Sequence, residues 1–462
     1  MRLYLINPYN SLAGMTKINE PRWNSYRVWK PLGLLVLAGL TPPEWDISVI
    51  DENLGPPDYR TMPRPDLVGL TAFTAQAARA YELAADFRSR GIPVVLGGIH
   101  ASMRLAEALD RVDTVVTGEA ENVWPQVLAD ARRSTLNRIY RGTPPDMDQV
   151  PMARHDLLPT GYRFGSIQTT RGCPLNCTFC SVTAFNGGHY RLRSIEKVIQ
   201  EFKLIREKYV LIVDDNIIGT RKDHIVRAKK LFKSMIQADI QKKWIGQATI
   251  NLADDEELLT LAAQSGCLGI FVGFESPNLE GLMEIRKPLN LQPERNLQAS
   301  VRRIQQHGIL VVGSFIIGLD ADSKGIGRQI AETAVDLGLD ALNILFLTPL
   351  PGTRLWEKMT LEDRLAANIF PDDWKYYTFN FPVARHRHLS CLDMMNEMED
   401  CRRAFYSYPS ILGRVLSCLR GRRKPYSNLV INLALCHGSR RANSLRLDRQ
   451  AYLELIRSRE SA

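Results

Sequence analysis

The sequence predicts an α/β protein with three parts: a doubly wound parallel sheet, a partial barrel of six β/α units and a helical C-terminal region. Two observations lead to this prediction. Short β-branched runs alternate with amphipathic stretches along most of the chain, and the alternation stops after about residue 385. A chain of 462 residues is also too long for one hydrophobic core. We therefore predict a first domain over residues 1–141, a linker over 142–160, the barrel over 161–385 and the C-terminal region over 386–462.

Short strands and amphipathic helices alternate in the first domain. Its clearest helix runs from Ala75 to Arg90, and Gly91 follows at the position where a left-handed residue ends many helices. A sheet of this kind binds ligands beyond the carboxyl ends of its strands, so the turns that follow the strands are the candidate binding sites. The predicted strands are Leu3 to Ile6, Asp46 to Asp51, Leu67 to Thr71, Val94 to Gly97 and Thr114 to Thr117.

A second alternating series begins after a proline-containing linker. The helix between its first two strands carries Ile195, Val198 and Phe202 on one face, and Ser194 is its predicted N-cap. Six strand and helix units predict a barrel-like parallel sheet, closed or partly open, with its sites at the carboxyl ends of the strands. The predicted strands are Gly165 to Thr169, Val210 to Asp214, Trp244 to Thr249, Leu268 to Phe274, Leu310 to Ile317 and Ala341 to Leu347.

Composition and charge narrow the class of protein. The chain is 45% hydrophobic and 24% charged, as ordinary globular proteins are, and no stretch approaches the ~20 apolar residues that span a bilayer. The start is typical of a strand rather than a signal peptide, so we expect a cytoplasmic protein. The net charge of +9 comes from the C-terminal region, where eleven Lys and Arg stand against one acidic residue between Arg402 and Arg449. If the excess positive charge binds an anionic partner, we expect the binding surface to lie in this region alone.

Three cysteines, Cys173, Cys177 and Cys180, directly follow the first predicted barrel strand. Their spacing brings three thiolates around one loop, and soft sulfur ligands select iron-sulfur clusters, copper or zinc. A cubane cluster with three protein ligands would keep one iron open. The alternatives are a structural zinc site and an all-cysteine electron-transfer cluster. Both are disfavoured because each needs a fourth ligand, and the next cysteine, Cys267, is distant while His189 is the nearest other donor.

The C-x3-C-x2-C spacing, with Phe179 before the third cysteine, resembles the signature of the radical S-adenosylmethionine (SAM) superfamily. The resemblance implies a partial TIM-type barrel in which Cys173, Cys177 and Cys180 hold a 4Fe-4S cluster. It also implies that SAM binds the open iron and is cleaved to a 5'-deoxyadenosyl radical, with the electron supplied by a donor such as flavodoxin or ferredoxin. The difficult chemistry would then belong to the cofactors, which the protein positions.

Three further segments resemble superfamily motifs that surround SAM. An arginine-containing stretch enters the first barrel helix, a D-D-N segment ends the second strand near the SAM amino group, and a G-x-E-S segment ends the fourth strand near the ribose and carboxylate. Taken alone, the D-D-N carboxylates could simply cap the next helix, and the Glu-Ser pair could simply start one. The cofactor-binding residues that the resemblance implies here are Arg193, Asp214, Asp215, Asn216, Glu275 and Ser276.

The first domain resembles the Rossmann-like cobalamin-binding domain of one branch of the superfamily. Its G-G-x-H segment contains Gly97, Gly98 and His100, and its G-E-x-E segment contains Gly118 and Glu119. The resemblance implies that cobalamin lies over these turns, although the chain lacks the D-x-H-x-x-G pattern that gives cobalt a lower axial histidine. A lone histidine is more often structural, so we place His100 near the corrin and not on the metal. In some relatives this domain is a vestige.

An apolar helical stripe in the basic C-terminal region is formed by Ile411, Leu412, Val415, Leu416 and Leu419. One interpretation is a helix that packs on the barrel with a solvated charged face. The other is an interfacial helix that binds anionic lipid, hence peripheral contact with a membrane. We expect no nucleic-acid partner, because no groove-reading module is recognisable. An apolar stretch, Leu429 to Leu435, follows, and the basic residues around the stripe are Arg414, Arg420, Arg422, Arg423 and Lys424.

The domain order and the tail resemble the branch that includes hopanoid methylases, bacteriochlorophyllide methylases and the anaerobic cyclase of chlorophyll synthesis. The resemblance implies C-methylation of a hydrophobic small-molecule substrate, lipid-like or tetrapyrrole-like, with methylcobalamin as the methyl donor. Two alternatives stay open: a radical-driven cyclisation or rearrangement without methyl transfer, and a non-enzymatic iron-sulfur redox or sensor protein. The sequence singles out no residue that reacts with the substrate.

Overall fold

The computed structural model describes most of the chain and divides it into two compact units. The described residues are 1–10, 12, 29–292, 294–420, 425, 426, 428, 429, 432, 433 and 443–460. The first unit comprises Met1–Ile167, Arg191–Leu211 and Asn368–Thr378. The second comprises Gln168–Tyr190, Ile212–Ala367 and Phe379–Ala462.

A six-stranded parallel sheet in the order β2-β1-β3-β4-β5-β6 forms the centre of the first unit. The doubly wound prediction is confirmed. The sixth strand was not predicted, because three residues at a sheet edge carry no periodic signal. The strands are β1 (Arg2–Asn7), β2 (Asp46–Asp51), β3 (Leu67–Thr71), β4 (Val94–Gly97), β5 (Thr114–Thr117) and β6 (Ile139–Arg141). The connecting helices are α1 (Leu32–Leu40), α2 (Ala77–Ser89), α3 (Ile99–Met103), α4 (Leu105–Arg111) and α5 (Trp124–Arg132).

The core of the first unit forms where α1 and α5 pack on the sheet. Helix α1 consists of apolar residues and glycine, and a helix that is apolar all round must be covered by other elements. Leu34 and Leu35 of α1 are buried in the same cluster as Trp124 of α5. The indole Nε1 of Trp124 donates to Thr41 Oγ1 at 2.9 Å, which satisfies its one polar atom. None of the described helices is long and apolar enough to cross a membrane.

The second sheet also has six strands, in the order β14-β13-β12-β11-β10-β7. Strands β7 and β14 are its two edges, so within the described residues the sheet is open, as a partial barrel requires. All six predicted barrel strands are present. They are β7 (Phe164–Ile167), β10 (Tyr209–Ile212), β11 (Lys243–Gln247), β12 (Cys267–Glu275), β13 (Leu310–Ile317) and β14 (Ala341–Phe346), with the two-residue strands β8 (Thr170–Arg171) and β9 (Arg191–Leu192) between the first two.

Helices follow the strands of this second series, as the alternating pattern predicts. Those of the barrel segment are α6 (Ser181–Asn186), α7 (Ile195–Leu204), α8 (Lys222–Gln237), α9 (Glu256–Gln264), α10 (Leu279–Glu284), α11 (Leu297–Gln306), α12 (Ile326–Asp336) and α13 (Arg354–Leu361). The C-terminal region contains α14 (Cys391–Phe405), α15 (Tyr408–Arg420) and α16 (Asn443–Glu460), which confirms its helical character.

The start of α7 corrects one detail of the sequence analysis. Ser194 occupies the N-cap position, as predicted, but its hydroxyl makes no capping hydrogen bond. Instead, the N–H of Ser194 donates to Asp148 Oδ1 at 2.7 Å. The predicted apolar face is confirmed, since Val198 and Phe202 are fully buried. The position of the helix start was therefore encoded locally, whereas the bond at that start comes from a distant residue.

The predicted stripe on α15 does not pack as a single face. Ile411 is buried, whereas Leu412, Leu416 and Leu419 are exposed. The exposed residues follow one another at spacings of four and three, so they form one outward apolar row. Ile411 and Cys418 are buried, as the interpretation of a packed helix expects, and the charged face of that interpretation stays a prediction, because its residues lie mostly outside the described side chains. Predicted residues Arg422, Arg423 and Lys424, and several in Leu429 to Leu435, lie outside the described residues.

Asp322, in the loop after β13, is a buried carboxyl group. Its Oδ2 accepts hydrogen bonds from the backbone N–H of Gly318 at 2.8 Å and of Leu319 at 3.1 Å. Its Oδ1 has no hydrogen-bond partner among the described residues. Burial raises the pKa of Asp322 to about 7, and the charges of Glu284 and Glu397 act in the same direction against the two backbone bonds. The folded protein therefore binds this proton more tightly than the unfolded chain does and keeps Asp322 mostly protonated up to about pH 7.

We predict that replacing Asp322 with Asn stabilises the protein near pH 8 and has little effect near pH 4. Because the folded pKa is raised from 3.8 to about 7, the folded state binds the proton more tightly. Ionisation then costs stability progressively as the pH rises between these two values, by about 4 kcal/mol at most. Thermal unfolding at both pH values measures the difference. Asp336→Asn, an exposed position on α12, is the control, and an equal effect of Asp322→Asn at both pH values would contradict the prediction.

Candidate active site

The three cysteines lie on the loop between β8 and α6 in the second unit. Cys177 is buried, and Cys173 and Cys180 are half-buried. Cys180 is the N-cap of α6, where free backbone N–H groups favour a thiolate. The N–H of Thr178 donates to the carbonyl of Ile285 at 3.3 Å, which ties the loop to the segment after α10. The loop is thus anchored at its centre and at its end.

The thiols are close enough to influence one another. Burial raises the pKa of all three, and that of Cys177 to about 11. The charge of Cys180 raises the pKa of Cys173 and Cys177 further, whereas Lys287 lowers all three. Three soft donors around one loop fit a 4Fe-4S cluster with one open iron, and iron binding would displace their protons. Among the described residues, no three His, Cys, Asp or Glu side chains are arranged to hold a single metal ion.

The D-D-N segment follows β10 and mainly supports neighbouring backbone. Asp214 is fully buried, and its carboxylate accepts the N–H and the hydroxyl of Thr169, both at 2.6 Å. Asn216 accepts the N–H groups of the next turn through its side-chain oxygen. The interpretation in which these carboxylates cap the next helix is wrong, because α8 begins at Lys222 with Arg221 as its N-cap.

Asp215 differs from its two neighbours because it faces the cysteine loop. Its Oδ2 accepts the N–H of Gly172 at 3.1 Å. Burial raises the pKa of Asp215 to about 6, and the charge of Asp214 adds to this. Its own charge raises the pKa of Cys173 and Cys180. Asp215 is therefore the member of the segment that can act on groups bound at the loop.

The G-x-E-S segment ends β12 at an irregular point of the sheet. The register of β12 against β13 shifts between Gly273 and Glu275, and Glu275 has a φ of 69°, which is unusual for a residue with a side chain. Its Oε1 accepts Lys287 Nζ at 2.8 Å, and both side chains are buried. A Cβ at position 273 would lie 2.1 Å from Glu275 Oε1, so a larger residue there would have to displace this carboxylate. Ser276 Oγ accepts the N–H of Asn278 at 3.1 Å.

Lys287 is the functional candidate that the sequence analysis missed. It stands in an ordinary loop sequence, 285–288, with no motif and no periodicity around it. Its burial and its pairing with Glu275 arise only when the loop folds against β12. A buried Glu275 would be expected to have a positively charged partner, but the sequence alone does not show which lysine or arginine pairs with it.

Arg193 belongs to the first unit and pairs with a buried carboxylate there. Its guanidinium lies 2.6 Å from Glu201 Oε2, and His155 Nε2 lies 3.1 Å from Oε1 of the same side chain. All three side chains are buried. This arrangement fixes the start of α7, and the role of Arg193 in binding SAM stays a prediction.

The glycine turns of the first unit line a small cavity at the carboxyl ends of β3, β4 and β5. The cavity has a volume of about 150 Å³, and Gly33, Gly97, Gly98 and Gly118 line it with Trp124. Gly98 has a φ of 92°, and a Cβ there would lie 2.9 Å from the backbone of Ala72. Most of the lining is apolar. A small apolar group can therefore approach the sheet closely at this point.

Two predicted cobalamin residues do not line this cavity. His100 is fully buried, and its Nε2 lies 3.2 Å from the Tyr81 hydroxyl and 3.3 Å from Glu107 Oε1. Glu107 also accepts Trp374 Nε1, and these hydrogen bonds lower its pKa to about 2 despite burial. Glu119 is buried in an ion pair with Arg191. Both residues hold the turns that surround the cavity, and contact with cobalamin stays a prediction.

Two family models match the chain. The one described as the radical SAM superfamily matches residues 167–353. The one described as the B12 binding domain matches residues 24–128. The first match contains the cysteine loop and the ends of β10 and β12, and the second contains the glycine turns and the cavity.

Three curated relatives are similar along most of this chain. An uncharacterized methyltransferase of Pyrococcus horikoshii is 28% identical over 83% of this chain and 89% of its own length. The bacteriochlorophyllide d C-12(1)-methyltransferase of Chlorobaculum tepidum is 28% identical over 78% of each chain. The hopanoid C-2 methylase of Rhodopseudomonas palustris is 29% identical over 72% of this chain and 65% of its own.

Solved structures share the fold. The radical SAM methyltransferase TsrM of Kitasatospora setae, with cobalamin and a 4Fe-4S cluster bound, has a TM-score of 0.61 and 16% identity, covering 87% of this chain and 81% of its own. The cobalamin-dependent radical SAM enzyme OxsB, with aqua-cobalamin and SAM bound, has a TM-score of 0.63 and 15% identity. The match covers 92% of this chain and 70% of OxsB.

We predict that Cys177→Ala abolishes assembly of the iron-sulfur cluster, because two remaining thiolates cannot hold four irons. Iron and sulfide per chain, measured after anaerobic reconstitution, should fall at least tenfold. Cys391→Ser is the matched control, since Cys391 is half-buried at the start of α14, outside the cysteine loop. Equal cluster content in Cys177→Ala and wild type would show that these cysteines are not the ligands.

Proposed function

We propose that this chain, a radical SAM enzyme with an N-terminal B12-binding domain, transfers a methyl group to a carbon atom of a hydrophobic substrate. Its cofactors are a 4Fe-4S cluster, SAM and cobalamin. When bound, they supply one-electron chemistry and a transferable methyl group. The observation that carries the proposal is the loop of three interacting thiols, in a chain whose other unit has a glycine-lined cavity at its strand ends.

In the second unit, some residues would hold the iron-sulfur cluster and others would orient SAM. Cys173, Cys177 and Cys180 would hold the cluster and leave one iron for SAM. Glu275 would orient SAM, because its carboxylate is fixed at the end of β12 by Lys287. Asp215 would contribute a carboxylate beside the loop. Asp214 and Asn216 would act indirectly, since their polar groups are already used by the backbone turns.

In the first unit, the glycine-lined cavity would accept the flat apolar part of the nucleotide tail of cobalamin. Its volume of about 150 Å³ is too small for a corrin ring, which would lie outside it against the glycine turns. Gly97, Gly98 and Gly118 allow this approach because they present no side chain. Its apolar lining makes burial of an aromatic group favourable.

The names of the relatives support a hydrophobic substrate. Two of the three curated proteins named above are named for a bacteriochlorophyllide and for a hopanoid, which are a tetrapyrrole and a lipid. We therefore assign this chain a substrate of that general class. An external electron donor of the flavodoxin or ferredoxin type would reduce the cluster.

Anaerobic reconstitution tests the proposed function. Incubation with SAM, cobalamin, a reductant and extracts of hydrophobic metabolites should yield both 5'-deoxyadenosine and S-adenosylhomocysteine. The second product appears only if a methyl group of SAM is transferred. Formation of 5'-deoxyadenosine alone would indicate cyclisation or rearrangement instead, and formation of neither by a protein with a full cluster would indicate a redox or sensor role.

We predict that Gly33→Leu weakens cobalamin binding at least tenfold. Gly33 lines the cavity from α1, and a Cβ there meets no atom within 4 Å, so a leucine fits the backbone and occupies the cavity. Titration of the protein with hydroxocobalamin, followed by absorbance, measures the affinity. Gly413→Leu on α15 is the control, because Gly413 is equally open and lies outside the cavity. Unchanged affinity in Gly33→Leu would place cobalamin elsewhere.

The exposed row on α15 supports peripheral contact with an anionic membrane. Leu412, Leu416 and Leu419 have exposed fractions of 58%, 44% and 57%. The segment from Arg402 to Arg449 has eleven basic residues and one acidic residue, which complements anionic lipid. The binding of an interfacial helix strengthens with the apolar area that it buries and with its attraction to anionic lipid. At a membrane surface, a cytoplasmic enzyme would encounter a lipid-like substrate.

Vesicle binding tests this contact. The wild type should sediment with vesicles that contain phosphatidylglycerol and much less with phosphatidylcholine alone. The triple variant L412E/L416E/L419E should bind at least tenfold more weakly, because each change places a charge at the apolar boundary. Leu361→Glu on α13 is the control, since Leu361 is 89% exposed outside the row. Equal binding of the triple variant and wild type would rule out this face.

A further inference from the structure

Lys287 is a buried cation in the segment that contacts the cysteine loop, and none of the superfamily motifs described above contains it. Its side chain is 9% exposed, as is that of Glu275, and Nζ lies 2.8 Å from Glu275 Oε1. Two residues earlier, the carbonyl of Ile285 accepts the N–H of Thr178, the residue after Cys177. The segment that carries Lys287 is therefore joined by its backbone to the cysteine loop.

The charge of Lys287 acts on every thiol of the loop. Its ammonium group interacts electrostatically with Cys173, Cys177 and Cys180. At Cys177 its influence is larger than that of any other charge, including that of its partner Glu275. The positive end of the ion pair thus dominates at Cys177.

Stability alone is a poor explanation for such a pair. Removing an ammonium and a carboxylate from water costs several kcal/mol per ion, and buried ion pairs are often no more stabilising than apolar residues of the same volume. Asn290 Nδ2 already donates to the carbonyls of Gly273 and Phe274, both at 3.0 Å, so the end of β12 has a neutral anchor as well. What an apolar pair could not supply is charge beside the thiols.

We propose that Lys287 is a positioning residue that supplies a fixed positive charge to the iron-sulfur cluster and thereby raises its reduction potential. The inference rests on the proposed function, because it takes the three cysteines as the cluster ligands. Reduction by an external donor adds one electron, and hence one negative charge, to a cluster that three thiolates already surround. A nearby ammonium stabilises this reduced form more than the oxidised form, and net local charge is one of the factors that set cluster potentials.

The same ion pair links the cluster to the SAM residue that the resemblance implies. Lys287 holds the carboxylate of Glu275, whose backbone is in the left-handed region at the end of β12. One ammonium group would then serve both the cluster, through its charge, and Glu275, through its hydrogen bond. This role differs from that of a cluster ligand or of a group that contacts the substrate.

The midpoint potential of the reconstituted cluster, measured without SAM by a reductive titration followed by absorbance and electron paramagnetic resonance, tests the proposal. The primary variant is K287M/E275Q, which removes both charges and leaves no buried ion unpaired. Its potential should be more negative than that of wild type by at least 59 mV, a tenfold change in the equilibrium constant of a one-electron couple. K287R keeps the positive charge, so its midpoint potential should lie within 59 mV of that of wild type.

E275Q alone provides a result of opposite sign. It removes the negative partner and keeps the ammonium, so its potential should be less negative than that of wild type. A side chain that only filled space would not move the two variants in opposite directions. If K287M/E275Q forms a cluster with the wild-type potential, the inference is overturned. If that variant forms no cluster, E275Q decides, and an unchanged or more negative potential in E275Q overturns the inference.

Cluster content separates this inference from the proposed function. Iron and sulfide are measured in the wild type before any titration. A wild type that holds no cluster after reconstitution would remove the proposed function and the inference with it. A wild type with a full cluster, together with variants of unchanged potential, would remove only the role of Lys287.

Discussion

Burial of charged groups at the carboxyl ends of parallel strands is the constraint on which both units depend. A carboxylate that leaves water must receive hydrogen bonds or a cation, because an unpaired buried ion is expensive. Asp214 receives the amide and hydroxyl of Thr169, and Glu275 receives Lys287. In the first unit, Glu119 is paired with Arg191. Each pairing fixes the turn in which the carboxylate stands, and those turns surround the candidate cofactor sites.

This constraint separates residues that build the sites from residues that can contact a ligand. Asp214 and His100 both stand in motif segments and are fully buried, and protein groups engage the carboxylate of Asp214 and Nε2 of His100. Asp215 and Gly98 are placed differently, beside the thiols and in the cavity lining. A short motif can therefore contain both kinds of residue. Its spacing does not distinguish them, because neighbouring residues of a turn can meet different parts of the protein.

Local patterns predicted the strands of four or more residues in both sheets. Strand β13, Leu310–Ile317, was predicted with its observed ends. Six of its eight residues are apolar, and most of these are β-branched; only Gly313 and Ser314 are not apolar. Strand β6 was missed because three residues carry no period. On α15 the stripe was correct as a pattern but not as a buried face. The side of a helix that becomes buried depends on its neighbours, and here Ile411 turns inward while Leu416 does not.

The sequence by itself determined the functional groups that lie within a few residues of one another along the chain. Three thiols in one loop, and glycines directly after strands, are spacings within a few residues, and they hold whatever surrounds them. Only the tertiary structure decided which charges meet these groups. Lys287 approaches the cysteine loop from more than one hundred residues away, and His100 is enclosed by Tyr81, Glu107 and Trp374. Burial and electrostatics depend on contacts between distant segments, and a local pattern contains no information about them.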